Sequence, residues 1–317
     1  MPSPADPGVL VVAGDLVEDV VVWADEPTRH ATDTAARITR TRGGSAANVA
    51  AFAAGAGRQS RFIGCVGADA AGDGLARELS AAGVDVRLQR AGATGTVVLI
   101  VDADGERTMY PDRGAAALLS APVEPTWLDG AAWLHLPAYG LEREPARSAV
   151  VALADAAHGA GVPVSVDASS TGLVAALGAD AFRAHVGRVA PDVVFANADE
   201  ADLLGIARPD ARATGAGPAG AARALAPLVV VKRGPGPAEI HRPGRPVVRV
   251  PAESVDDVRD ATGAGDAFAA GYVVATLDGA DPRAACVAGH ALAASVLRSP
   301  GASAAPARDA GDPAPRA

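Results

Sequence analysis

Short, largely apolar runs that recur between alanine-rich stretches constrain this chain more than any other feature of it. The runs lie at 8–14, 61–66, 133–136, 162–167, 193–195 and 228–231, and each has the length and content of a strand buried on both faces. Between and after them, helical patterns occupy 45–54, 70–82, 144–158, 219–226, 266–277 and 283–297. Such alternation predicts an α/β fold with a mostly parallel central sheet covered by helices on both sides. Three segments stand apart: 20–23 follows the first run at once, 37–41 is flanked by polar residues, and 96–101 turns at 102–105 into 107–110. The last two alternate apolar with polar residues, as hairpins do, and predict a small β lid rather than part of the core. No repeat or linker divides the chain, so one domain is expected over 8–302, with lid segments at about 18–42 and 95–112. Residues 303–317, rich in Pro, Ala, Gly and charge, are expected to stay outside the packed fold.

Composition removes several function classes. With 317 residues, 49% of them hydrophobic, the chain can bury a large core, which excludes a disordered or disulfide-stapled protein. A formal charge of −9 leaves no broad cationic face for nucleic acid, which is not an expected partner. No apolar window of about 18 residues suggests a membrane span, and the first residues lack the basic-then-apolar order of a secretion signal. Cys65 and Cys286 lie far apart with no ligand spacing, as suits a reducing compartment. A cytoplasmic location, no membrane partner and two buried thiols are the expectations. The chain uses arginine for positive charge almost throughout, and its single lysine is Lys232.

The segment Asp260-Ala-Thr-Gly-Ala-Gly-Asp266 carries the most chemistry. A Gly-Ala-Gly turn entering an apolar helix aims successive N–H groups of Gly263, Ala264 and Gly265 at the positive end of the helix dipole, which makes an anion pocket. An aspartate beside bound phosphate is unfavourable unless it works, and Asp266 can take a hydroxyl proton as that oxygen attacks phosphorus. Taken alone, the same residues also fit a plain turn with an acid in the first turn of a helix. A second pair, Gly43-Gly44, opens the helix that carries Asn48, whose side chain both donates and accepts, as a polyol requires. Asp15 and Asp19 follow the first strand, where open α/β sheets bind ligands. Asn197 and Glu200 fall at the carboxyl end of another strand, and a helix cap accounts for them equally well. Lys232 and Gly234 follow the strand 228–231 and could touch nucleotide phosphate. Arg113 could meet an anionic group of a substrate or be solvated at the lid edge. His135, His158, His185 and His241 show no ligand spacing and read as structural or solvated.

A Walker loop needs Gly-Lys-Ser/Thr, and the sole lysine sits between Val231 and Arg233. A dinucleotide fingerprint should follow the first strand, and none does. An NAD-dependent oxidoreductase is therefore a distant alternative, as is a noncatalytic sugar-binding module, which would have no need of Asp266.

Gly43-Gly44 with Asn48, and 260–266, resemble the two signatures of the ribokinase or PfkB family of carbohydrate kinases, over residues 9 to about 302. The resemblance implies a ribokinase-like three-layer sandwich with a β lid and an ATP-dependent phosphotransferase acting on a hydroxymethyl group. The sugar would be ribose-, fructose- or ketodeoxygluconate-like, with nucleoside and sugar-phosphate kinases as alternatives of the same fold. It further implies Asp266 as catalytic base, Gly263, Ala264 and Gly265 around the transferring phosphoryl group, and Asp19, Gly43, Gly44 and Asn48 on the sugar. Asn197 and Glu200 would govern Mg²⁺ and phosphate, with Glu200 acting through water. Lys232 and Gly234 would contact nucleotide phosphate, and His290 would flank adenine. Asp260 and Thr262 resemble a monovalent-cation loop suited to K⁺, and the lid resembles one that pairs subunits into a homodimer. Ser45 stands where ribokinases proper have lysine, and Asp167-Ala-Ser-Ser170 departs from the D-x-N pattern of many fructokinases, so ribose itself is not implied.

Overall fold

A computed structural model describes residues 8–24, 26–102, 107–206, 225–256, 258 and 261–298. The central sheet has nine strands: β1 (Val9–Ala13), β4 (Ser60–Val66), β5 (Asp85–Arg90), β8 (Ala131–Pro137), β9 (Val164–Asp167), β10 (Val193–Asn197), β11 (Leu228–Lys232), β12 (Ala238–His241) and β13 (Val248–Val250). Their spatial order is β13-β12-β11-β10-β9-β8-β1-β4-β5. All neighbours from β11 to β5 run parallel, and only β12 and β13 pair antiparallel.

Period-two side-chain alternation divides each central strand between two cores. Val11 and Ala13 join one cluster, while Leu10 and Val12 join the other; on β10, Val194 and Ala196 oppose Val193 and Phe195. The first core is closed by α3 (Ala146–Gly159), α4 (Thr171–Leu177), α5 (Ala179–Val189) and α6 (Ala198–Leu203). The second is closed by α1 (Ser45–Gly55), α2 (Ala70–Ala81), α7 (Ala264–Leu277) and α8 (Pro282–Leu297). Three layers follow from the strand pattern. Aromatic edge-to-face contacts fix the second core, with Phe195 on β10 meeting Tyr272 of α7 at 5.1 Å between centroids.

A second sheet, in the order β3-β2-β6-β7, is built from β2 (Val17–Ala24), β3 (Ala36–Gly43), β6 (Thr94–Val101) and β7 (Arg107–Gly114). The lid segments expected as separate hairpins are thus one sheet, because β2 runs parallel to β6 and joins them. Its register sets Val20, Val22, Ile38, Val98, Ile100 and Tyr110 on one face, while Asp19, Val97 and Met109 on the other line the large cavity.

Both cysteines are buried and free. No helix of the described residues is long and apolar enough to cross a membrane. Sequence patterning missed β5 and β13, which are the two edges of the sheet, and also β12, α4 and α5. Most of the helix expected at 219–226 and of the turn expected at 102–105, together with Asp260 and the tail at 303–317, lies outside the described residues.

Candidate active site

From β1 the chain order runs one way through β4 and β5 and the other way through β8 to β11, so the crevice beyond the carboxyl ends of β1 and β8 is the switch point where such sheets bind ligands. A cavity of about 1330 Å³ opens there. Asp15, Tyr139, Asp167, Asn197 and Lys232 enter it from the ends of β1, β8, β9, β10 and β11, and the lid adds Asp19 and Met109.

The N-termini of α1 and α7 converge on Asp266. Gly263 caps α7 at φ 78°, in the left-handed region that glycine adopts without strain. Asp266, in the first turn, accepts hydrogen bonds from Ser45 Oγ at 2.6 Å and Asn48 Nδ2 at 3.0 Å. Burial pushes its pKa up to about 6, against the lowering effect of those two bonds. Asn48 is held in turn by Arg42 Nη1, which donates to Asn48 Oδ1 at 3.0 Å. The amide orientation is thereby determined: oxygen to the guanidinium, nitrogen to the carboxylate.

Gly43 and Gly44 allow close approach of the loop after β1: a Cβ on Gly43 would overlap the Asp19 carboxylate, and one on Gly44 would overlap the Asp15 carbonyl oxygen. Asp19 itself is pushed up to about 6, by burial first, with Arg42 opposing and Asp266 adding. Sequence reasoning placed Asp19, Gly43, Gly44, Asn48 and Asp266 in one site, and the structure brings them together.

On the other side of Asp266, Lys232 Nζ donates to Asp167 Oδ2 at 2.6 Å, reaching across the end of β10. Burial works against its charge, yet Asp167 and Glu200 outweigh burial and hold its pKa up. A Cβ on Gly265 would lie 3.3 Å from this ammonium, so the bare glycine backbone keeps the cation against the first turn of α7. Asp167 was missed as a site residue; the signal available was that a sole lysine at the end of a buried strand needs a carboxylate.

Asn197 and Glu200 form a reciprocal capping box: Glu200 N–H donates to Asn197 Oδ1 at 2.8 Å, and Glu200 accepts from Asn197 N and Nδ2 at 2.7 and 2.8 Å. The capping reading is therefore realised, with Glu200 only 1% exposed and its pKa raised by burial and by Asp167. Gly234 and Thr262 line the cavity, as does His290, which packs edge-on against Phe268 at 5.1 Å with Nε2 3.3 Å from the Val250 carbonyl oxygen.

Arg113 lines the cavity but is not solvated: Nε and Nη2 donate to Asp15 at 2.8 and 2.6 Å, and Nη1 donates to Glu142 and to the Tyr139 carbonyl, each at 2.9 Å. The solvated reading fails because nothing in sequence links 113 to 15 and 142. His135, read as structural, is buried with Nδ1 2.8 Å from Ser165 Oγ, and burial pushes it down to about 4.

The donor set suits the phosphates of a nucleotide: a helix N-terminus with its first-turn N–H groups, a fixed ammonium beside it and a carboxylate at the same turn. The pfkB family carbohydrate kinase model matches residues 9–309. The chain belongs to that family. It is 33% identical to an ATP-dependent ribose-1-phosphate kinase from Halopiger xanaduensis over 94% of this chain and 95% of the relative. It is also 33% identical to a fructokinase from Klebsiella pneumoniae over 84% and 83%. Among solved structures, a probable sugar kinase from Rhizobium etli superposes with a TM-score of 0.79 at 25% identity, covering 94% of this chain and 95% of the other. An Arabidopsis thaliana ribokinase complexed with ribose and ATP gives 0.75 at 23% identity, covering 93% and 94%. The protein is an ATP-dependent carbohydrate kinase with the ribokinase fold.

Proposed function

We propose that this kinase moves the γ-phosphoryl group of ATP to a primary hydroxyl of a small sugar, with Asp266 as general base. The observation that carries the reading is the place of Asp266: on the first turn of α7, held by Ser45 and Asn48, with a pKa raised to about 6, close enough to the working pH to take a proton and release it. As the sugar oxygen bonds to phosphorus, its proton passes to Asp266 Oδ, and the bond from phosphorus to the β-phosphate oxygen breaks to leave ADP. First-turn N–H groups of α7 and Lys232 Nζ face the charge that spreads over the phosphoryl oxygens, preorganised so that no reorientation is needed. Asp19, Asn48 and the backbone at Gly43 and Gly44 hold sugar hydroxyls, and the lid excludes water that would hydrolyse ATP.

Mg²⁺ bound with ATP would neutralise phosphate charge, held at Asn197 and Glu200 through water, since both Glu200 oxygens already accept from Asn197. Thr262 would serve K⁺, while Asp260 lies outside the described residues. The exposed apolar face of the lid, with Ile38 59% and Tyr110 57% exposed, is the surface on which a second copy would pair. Two free, buried cysteines support a cytoplasmic location.

The test is ADP release over ribose, fructose, ketodeoxygluconate, fructose 6-phosphate, adenosine and pseudouridine. ATP bound with no ADP formed on any acceptor, or NAD bound in place of ATP, would overturn the reading.

A further inference from the structure

Three described residues other than glycine have a positive φ, and of these Ser169, at 71°, alone lines the cavity. Backbone of this kind persists only where its surroundings hold it, and it gathers at functional sites. Glycine or asparagine would adopt it more readily. Serine adds a short hydroxyl, and here the hydroxyl is used twice. Oγ accepts from the Ala138 N–H at 2.9 Å and donates to the Asp167 carbonyl at 3.0 Å, which ties the end of β8 to the end of β9. The left-handed turn also brings the Ser169 N–H back onto Asp167 Oδ1 at 3.0 Å.

The two links lead to opposite ends of the cavity. Asp167 gives its other oxygen to Lys232, on the phosphate side. Ala138 opens the single turn Ala138–Leu141, and the next residue, Tyr139, offers its carbonyl to Arg113 Nη1 at 2.9 Å. Arg113 in turn holds both oxygens of Asp15, whose backbone packs against Gly44. The guanidinium lies 5.7 Å from the centre of the Tyr139 ring, and Tyr139 Oη is 3.5 Å from the Ser169 carbonyl oxygen. We propose that Ser169 is a positioning residue for the acceptor: its hydroxyl anchors the turn that carries Tyr139 and, through Arg113, Asp15, while its N–H separately steadies Asp167 for Lys232. The proposal rests on the phosphotransfer reading above and adds to it a residue that acts through others. Without the Ser169 hydroxyl, the turn must be ordered each time a sugar binds, and immobilising a side chain on binding weakens affinity about 2- to 12-fold.

Ser169→Ala removes the hydroxyl and keeps the N–H, so it separates the two links. The assay is coupled ADP release on whichever of ribose, fructose, ketodeoxygluconate, fructose 6-phosphate, adenosine and pseudouridine the wild type turns over. The acceptor KM should rise about tenfold while the ATP KM stays within about twofold. Ser169→Gly removes the same hydroxyl and relieves the backbone, so it should show the same split with a higher melting temperature than the alanine variant; it stands in if the alanine variant does not fold. A lowered melting temperature with both KM values unchanged would mark a merely structural residue and overturn the proposal, and so would a parallel rise in both KM values in a folded enzyme. Either result leaves the kinase reading intact, whereas a wild type that binds ATP and turns over none of the six acceptors overturns both.

Discussion

Replacing Asp266 with asparagine removes a proton acceptor while keeping the size and turn chemistry of the position. General-base catalysis is typically worth about 10² to 10⁴ in rate, or roughly 2.7 to 5.5 kcal/mol of barrier, and the structure bears on where in that range the loss should fall. The oxygen of the new amide can still accept from Ser45, but its nitrogen must face Asn48 Nδ2, itself a donor. Asn48 cannot turn its oxygen inward without setting two donors against each other at Arg42. Asp266→Asn therefore loses both the base and one hydrogen bond, and a fall toward the upper part of the range is expected in kcat. The ATP KM should stay level or drop as negative charge beside the phosphates disappears. Stability should move oppositely. Between the unfolded value of 3.8 and about 6 the folded wild type binds a proton that the unfolded chain releases, so its stability declines as pH rises through that window. The asparagine variant lacks that decline and should gain in relative melting temperature from pH 4 to pH 8. Stopped-time ADP assays with nucleotide titration and melting at both pH values make the check. Near-normal turnover on a verified substrate, with fold and ATP binding intact, would refute the base assignment.

Wild-type kcat/KM should fall as pH drops through about 6, because Asp266 and Asp19 both protonate there; a pH profile flat to pH 5 would contradict both values. Asp19→Asn should raise the sugar KM by about 10- to 150-fold, the equivalent of roughly 1.5 to 3 kcal/mol for a hydrogen bond to a charged group, with the ATP KM unchanged in the same assay. Asp167→Ala leaves the Lys232 ammonium buried and unpaired, so urea unfolding should show a loss of about 3 to 5 kcal/mol, much of it recovered when Lys232→Met is added. With the lid pairing two copies as proposed, the wild type should scatter light as a dimer and Ile38→Glu with Tyr110→Glu as a folded monomer, since both side chains are exposed in the lone chain; a wild type that scatters as a monomer refutes the pairing.

How much of this was legible in sequence depends on whether a feature is local. The runs that became β1, β4, β8, β9, β10 and β11 were legible because a strand buried on both faces has no polar alternation to confuse it with anything else. Edge strands lack that signature: β5, as Asp85-Val-Arg-Leu-Gln-Arg, alternates with charge, and β13 has three residues, two of them exposed. The lid strands were found, but their assembly into one sheet was not, since the parallel pairing of β2 with β6 joins residues 78 apart, as Glu18 with Thr96, and leaves no local trace.

The same distinction governs the site. Gly263, Gly265 and Asp266 were legible because turn, helix start and acid lie within four residues, and Gly43, Gly44 and Asn48 for the same reason. What sequence cannot supply is pairing across the crevice. Arg113 read either as a contact for an anionic group or as solvated at the lid edge because its side chain was known and its partners were not; Asp15, after β1, and Glu142, in the segment after β8, pair with it and take it out of solvent. Lys232 shows the converse. Its rarity marked it, and Asp167 explains how an ammonium can be buried there: the carboxylate supplies the counter-charge, so that in the proposed phosphate-binding role a ligand would exchange one charged partner for another and avoid desolvating a bare cation.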